Sequence, residues 1–124
     1  MAWFDHDKLD VYHAAIEFVA CADDVVEQLP RGRAYLAIQL GRASTSIVAN
    51  IGEGAGEFRR KDKARFYRMA LRSATECAAL LDVLAKLSLV DERRRATGRD
   101  LLVRIVSMLT KMAKSLDEEV ATEG

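Results

Sequence analysis

Aromatic residues are scarce in this 124-residue sequence: one Trp, three Tyr and four Phe. A nucleic-acid surface built on base stacking needs more of them, and some must serve the core. There is a single Pro, Pro30, and no stretch alternates apolar and polar residues for long, which disfavours a sheet. Only two cysteines occur, Cys21 and Cys77, each within a helical apolar pattern. They provide no disulfide framework and predict reduced thiols in a cytoplasmic protein. No apolar run reaches the roughly 20 residues that span a bilayer, so no membrane association is expected. The opening MAWFDHDKLD lacks the basic-then-apolar order of a secretion signal. Net charge is also missing: 19 Lys and Arg balance 19 Asp and Glu, and the pI of 6.7 argues against strong non-specific nucleic-acid binding.

What is present is helix-forming sequence in four blocks. Half of the residues are hydrophobic, which excludes a disordered chain, and the length suits one domain, residues 1–124. The first helix is predicted over about 8–29, with Leu9, Tyr12, Ile16, Val19, Val26 and Leu29 near one stripe and Pro30 as its stop. The second is predicted over 34–54, with Leu36, Leu40, Ala43, Ile47 and Ile51 inward and Gly52, Gly54 and Gly56 ending it. The third is predicted over 62–87, capped by Asp62, with Phe66, Ala70, Ser73, Cys77, Leu80, Leu84 and Leu87 along one face. Ser88 or Asp91 caps the fourth, predicted over 91–119, whose seam is Leu102, Ile105, Leu109, Met112 and Leu116. Gly98 lies inside it at a cost of about 1 kcal/mol, and the tail from Ala121 is expected to fray. Four such helices with short connections predict an all-α, antiparallel up-down-up-down four-helix bundle.

Charge is segregated along the chain. Residues 1–30 carry one Lys against seven acids, whereas residues 31–72 carry ten bases against three acids. Such a pattern suits self-association or a polyanionic partner. The bundle topology brings Arg31, Arg33, Arg93, Arg94, Arg95 and Arg99 to one end, where they form the candidate nucleic-acid-binding set; a solvated helix end is the plainer alternative. Arg59, Arg60, Lys61 and Lys63 form a second cluster at the other end, beside acidic terminal segments that compete for it. Helices two and three also carry polar stripes: Arg42, Ser46, Asn50 and Glu53 on one, and Arg65, Arg68, Arg72 and Glu76 on the other. An antiparallel hairpin pairs Arg42 with Glu76, Ser46 with Arg72, Asn50 with Arg68 and Glu53 with Arg65. The ladder is either a pair of solvated faces or a partly buried seam within the bundle or at a subunit contact. Trp3 and Phe4 precede the first helix and are expected to cover the bundle end or a neighbouring subunit.

Signals for catalysis are weak. The glycines around Glu53 lack the preceding strand and the Gly-Lys-Ser/Thr ending of a phosphate loop. His6 and His13, among Asp5, Asp7 and Asp10, are too few to predict a metal centre. Ser46 and Ser73 lie within helices with no nucleophile elbow, and neither cysteine has an evident orienting partner. The expectation is a protein without catalytic residues, metal or cofactor.

The stretch from Gln39 to Leu84 resembles the bacterial four-helix-bundle family encoded in intervening sequences of 23S rRNA genes. That family also includes accessory variability proteins of diversity-generating retroelements. The matching marks are Q-L-x-R-A-x-x-S-I at Gln39 to Ile47, N-I-x-E-G at Asn50 to Gly54, R-F-Y at Arg65 to Tyr67, and S-x-x-E at Ser73 to Glu76. The L-D-V-Y of Leu9 to Tyr12 fits as well. Gly52 departs from the pattern, where Ala is more usual. The resemblance implies a ring of identical subunits, a homopentamer, with no catalytic activity. The retroelement members are strongly basic partners of a reverse transcriptase, and the neutral charge of this chain departs from them. The leading expectation is therefore an oligomeric interaction module associated with RNA, DNA or a nucleic-acid-processing protein. The alternative is a structural ring that scaffolds a protein partner without binding nucleic acid.

Overall fold

A computed structural model describes residues 3–123. After a single 3-10 turn at Asp5–Lys8 come α1 (Asp10–Glu27), α2 (Ala34–Gly56), α3 (Arg60–Lys86) and α4 (Glu92–Glu123). Among the described residues there is no strand, and no helix is long and apolar enough to cross a membrane. α1 packs on α2 and α4, and α3 packs on α2 and α4, so α1 and α3 stand diagonally across the bundle. Each short connection reverses the chain, giving the expected all-α up-down-up-down arrangement.

The core forms where the apolar spacings of the four helices meet. Phe18 of α1, Leu40, Ile47 and Ile51 of α2, Leu84 of α3, and Ile105 and Leu109 of α4 are fully buried. Each such side chain contributes about 1.5–3 kcal/mol by leaving water. The α2 stripe is the predicted one. The α1 stripe is not: Val11, Ala14, Ala15, Phe18, Ala22 and Val25 face inward, while Ile16 is 45% exposed. Apolar residues surround much of α1, and the alanine-rich side wins because it lets neighbouring helices approach around Phe18. On α3 the predicted Ala70, Cys77, Leu80 and Leu84 are buried, Tyr67, Ala74 and Leu81 join them in place of Phe66 and Ser73, and Leu87, at the helix C-cap, lies outside.

Helix ends depart from expectation for local reasons. The Asp7 carboxylate accepts hydrogen bonds from the Trp3 and Phe4 backbone N–H groups at 3.2 and 3.1 Å. This local turn competes with helix, so residue 8 belongs to the 3-10 turn and Leu9 is extended. Gly52 and Gly54 do not stop α2, which ends at the third glycine, Gly56, and none of the three takes a left-handed conformation. Lys63 Nζ instead donates to the terminal carbonyls of Gly54 and Ala55 at 3.2 and 2.7 Å. Asp62 is not a cap. Arg59 occupies the cap position of α3, and Asp62 lies in the first turn, where the helix dipole favours an acid.

The two candidates between α3 and α4 divide the work. Ser88 adopts φ 58°, with its N–H bonded to Ala85 O and the Leu89 N–H bonded to Leu84 O, a Schellman ending to α3. Asp91 caps α4, its Oδ1 accepting from Arg94 N at 2.8 Å. The end of α4 does not fray at Ala121 but continues to Glu123, tied to α3 by Arg60, which pairs with Glu119 at 2.8 Å and with Glu123.

Candidate functional site

The first candidate surface is the bundle end formed by the α1–α2 connection and the first turns of α4. The fold brings the six predicted arginines to this end, but not as six free cations. Arg94 lies between acids on two helices, with Nε 2.6 Å from Asp24 of α1 and Nη1 bonded to Asp91. Arg95 makes two hydrogen bonds to Glu92, at 2.8 and 2.6 Å. These contacts hold the Asp91 and Glu92 carboxyls below their ordinary range, Asp91 chiefly through the Arg94 backbone N–H and Glu92 through the Arg95 guanidinium. Arg33 donates to the Tyr35 hydroxyl at 3.1 Å. Arg31, Arg93 and Arg99 have no carboxylate partner among the described residues. The i,i+3 spacing of Asp91 with Arg94 and of Glu92 with Arg95 was the sequence signal that separates the two classes; only the Asp24 contact is distant along the chain.

The second candidate is the α2–α3 seam. Arg42 Nη2 donates to Glu76 Oε2 at 3.2 Å, the predicted pair, with the two side chains 67% and 40% exposed. One turn further, Ser46 Oγ meets Ser73 Oγ at 2.9 Å rather than Arg72. Asn50 Nδ2 turns back to Ser46, donating to its carbonyl at 2.9 Å and its hydroxyl at 3.1 Å. Arg68 reaches Asp117 of α4 instead, at 3.0 Å. Arg65 lies over the Phe66 ring at 4.8 Å, and Glu53 and Arg72 form no ion pair among the described residues. The helix-to-helix register is therefore near the predicted one. The long arginines choose other partners because they point off the α2 side of α3. Arg42 with Glu76 is thus an exposed surface pair in the single chain, not a buried one.

Continuing that register along the hairpin sets Tyr35 and Ile38 of α2 across from Val83 and Leu80 of α3, with Leu87 one turn on. Ile38 is 68% exposed, Tyr35 51%, Val83 42% and Leu87 41%. This apolar patch adjoins the basic end. The sequence reading missed it by assigning Leu87 to the core. The signal available was the spacing of Tyr35, Ile38 and Arg42, which shares a helix face with the polar stripe. Trp3 and Phe4 lie against α2 near Gly52 and Glu53, lining a cleft while remaining largely exposed.

Chemistry elsewhere is muted. Burial pushes the Cys77 thiol up to about 12, helped by the Glu76 charge, and raises Cys21 as well, helped by Asp24. Neither is a thiolate near neutral pH. Burial likewise raises the Tyr67 hydroxyl. Among the described residues no three His, Cys, Asp or Glu side chains converge as a metal site.

The arrangement of helices has a counterpart among solved structures. A protein of unknown function from the S23 ribosomal protein family of Bacteroides thetaiotaomicron VPI-5482 superposes with a TM-score of 0.78 at 23% identity. The match covers 84% of this chain and 98% of that one. At that identity the likeness speaks for the fold alone. No curated protein matches the chain. The family model described as 23S rRNA-intervening sequence protein matches residues 7–111, which include the Gln39–Ile47 and Asn50–Gly54 blocks and the whole α2–α3 hairpin. The chain belongs to the 23S rRNA-intervening sequence protein family.

Proposed function

We propose that this protein is a non-enzymatic interaction module that works in the cytoplasm as a closed ring of identical subunits, five by family resemblance. The observation that carries this reading is the exposed apolar patch of Tyr35, Ile38, Val83 and Leu87. Contiguous apolar surface on a small protein is costly to leave in water and marks an interaction site. The charge segregation supports the same reading: an acidic first helix and a basic middle attract each other between subunits and steer association. In a ring each copy presents its basic end in the same sense, multiplying a weak phosphate contact by the number of subunits.

Nucleic acid is the partner this reading favours, through Arg31, Arg93 and Arg99, with Arg33 beside them. Three such contacts to single-stranded RNA give a salt slope of about −2 in log affinity against log salt per subunit engaged. The test is RNA binding across a salt series with the wild type and with Arg93→Ala combined with Arg99→Ala. The reading expects weaker binding and a shallower slope in the variant. An RNA affinity independent of both salt and these arginines contradicts it.

The alternative is a ring that scaffolds a protein partner. The internal pairing of Arg94 and Arg95 and the zero net charge favour it. It expects no RNA binding at low salt and a protein partner retained at high salt.

A further inference from the structure

The N-terminal strap forms a cleft whose chemistry is distinct from the basic end and the α2–α3 seam. Asp7 anchors the strap by accepting from the Trp3 and Phe4 N–H groups. The Phe4 ring stacks on His6 with centroids 5.5 Å apart and planes 10° from parallel, and His6 lies 4.3 Å from the Tyr12 ring. Between this aromatic wall and α2 is an open cleft of about 480 Å³.

Its floor is made of small residues on α2: Ala49, Gly52 and Gly56. A Cβ at Gly52 comes no nearer than 3.8 Å to His6 Nδ1, and one at Gly56 meets nothing within 4 Å. The missing side chains are therefore what leaves the space. Two carboxylates, Asp5 and Glu53, stand in the lining, and neither has a cationic partner among the described residues. No Lys or Arg contributes to the walls.

Aromatic faces attract cations through the ring quadrupole. Carboxylates add charge-assisted hydrogen bonds. A planar guanidinium uses both at once, stacking on a ring while its edge donates to a carboxylate. An anion is repelled here, and a purely apolar group makes no use of the two exposed carboxylates.

We propose that the cleft between the Trp3–Phe4 strap and α2 binds a guanidinium group. The group comes either from an arginine of a second copy or from a free small molecule. This chain offers suitable arginines, since Arg72, Arg93 and Arg99 hold no carboxylate among the described residues. The site itself does not depend on assembly.

Trp3 is the only tryptophan and lines the cleft, so its emission reports occupancy. The experiment titrates dilute full-length chain with arginine amide, using sodium chloride at matched ionic strength as the control. The expected result is a saturable change in Trp3 emission that salt does not reproduce. Glu53→Gln weakens binding about tenfold, the loss of one charge-assisted hydrogen bond. Gly52→Leu fills the floor and favours helix, so it abolishes the response while the melting temperature stays at or above wild type.

Emission of ligand-free chain, followed with light scattering across protein concentration, separates the sources. A shift that tracks assembly and is reversed by arginine amide assigns the cation to a second copy. Constant emission with saturable amide binding assigns it to a free molecule. Either outcome supports the site. No saturable change in the wild type, or equal changes in wild type, Glu53→Gln and Gly52→Leu, overturns it. A monomeric chain that binds the amide overturns the ring and leaves this site standing.

Discussion

Gly54 of α2 lies so close to Tyr67 of α3 that a Cβ built on it would stand 2.7 Å from the ring carbon Cε1. Phe66 Cβ would be 3.1 Å away on the same side. The glycine keeps α2 and α3 in register at the end where Lys63 reaches the α2 carbonyls. Gly54→Ala forces the tyrosine ring or a helix to move and is expected to cost about 1–3 kcal/mol in urea denaturation. Gly52→Ala, two residues away, meets only ordinary contact and is expected to stabilise by about 0.5–1 kcal/mol. Equal effects from the two changes would contradict this assignment.

Ser88 holds the left-handed position of a Schellman ending without being glycine. Ser88→Gly removes the Cβ crowding and is expected to raise stability by about 1 kcal/mol, measured by thermal or chemical unfolding. A loss of stability would mean that the hydroxyl matters more than the backbone.

Asp91 titrates in a known direction. Its folded value is depressed by the Arg94 backbone N–H and guanidinium, so its contribution to stability is fully present above the ordinary aspartate value of 3.8. That contribution is lost as pH falls through the lower folded value. Unfolding followed from pH 6 to pH 2 should therefore show an acid-side decline that is shallower in Asp91→Asn. An unchanged slope would show that other carboxylates, such as Asp7 and Glu92, carry the effect.

These positions also show what the sequence could reveal. The four helices, their antiparallel order and the α2 core stripe were legible because Leu36, Leu40, Ala43, Ile47 and Ile51 recur at unbroken spacings of three and four. The α1 face was not legible, because alanines and branched residues surround that helix and only packing around Phe18 chooses between them. Gly54 read as a helix stop, since its closeness to Tyr67 is a fact of tertiary structure. The shared end of the six arginines follows from the up-down-up-down order of the helices. Its division into paired and unpaired arginines was partly legible, since Asp91 with Arg94 and Glu92 with Arg95 stand at i,i+3 spacing, whereas the Asp24 contact to Arg94 is a fact of tertiary structure. The apolar patch stayed hidden for a related reason: Leu87 fits the core period of Leu80 and Leu84 but stands at the C-cap of α3, where the helix has ended and the side chain is left outside.

The Arg42–Glu76 pair offers a sensitive readout of assembly. In the single chain both side chains are exposed, and a double-mutant cycle there is expected to give a coupling of about 0.2–1 kcal/mol. If the seam is covered by a neighbouring subunit, coupling measured at concentrations that favour assembly should exceed that measured in dilute chain. Identical coupling in the two regimes would place the seam away from the interface.

The most direct test of the account is the mass of the particle in solution. Light scattering at micromolar concentration should give about five times the 13.8 kDa chain mass for the wild type. Ile38→Glu, which places a charge in the exposed apolar patch without touching the core, should give the single-chain mass with unchanged helical circular dichroism. A wild type that remains at 13.8 kDa, or an Ile38→Glu variant that assembles as the wild type does, would contradict it.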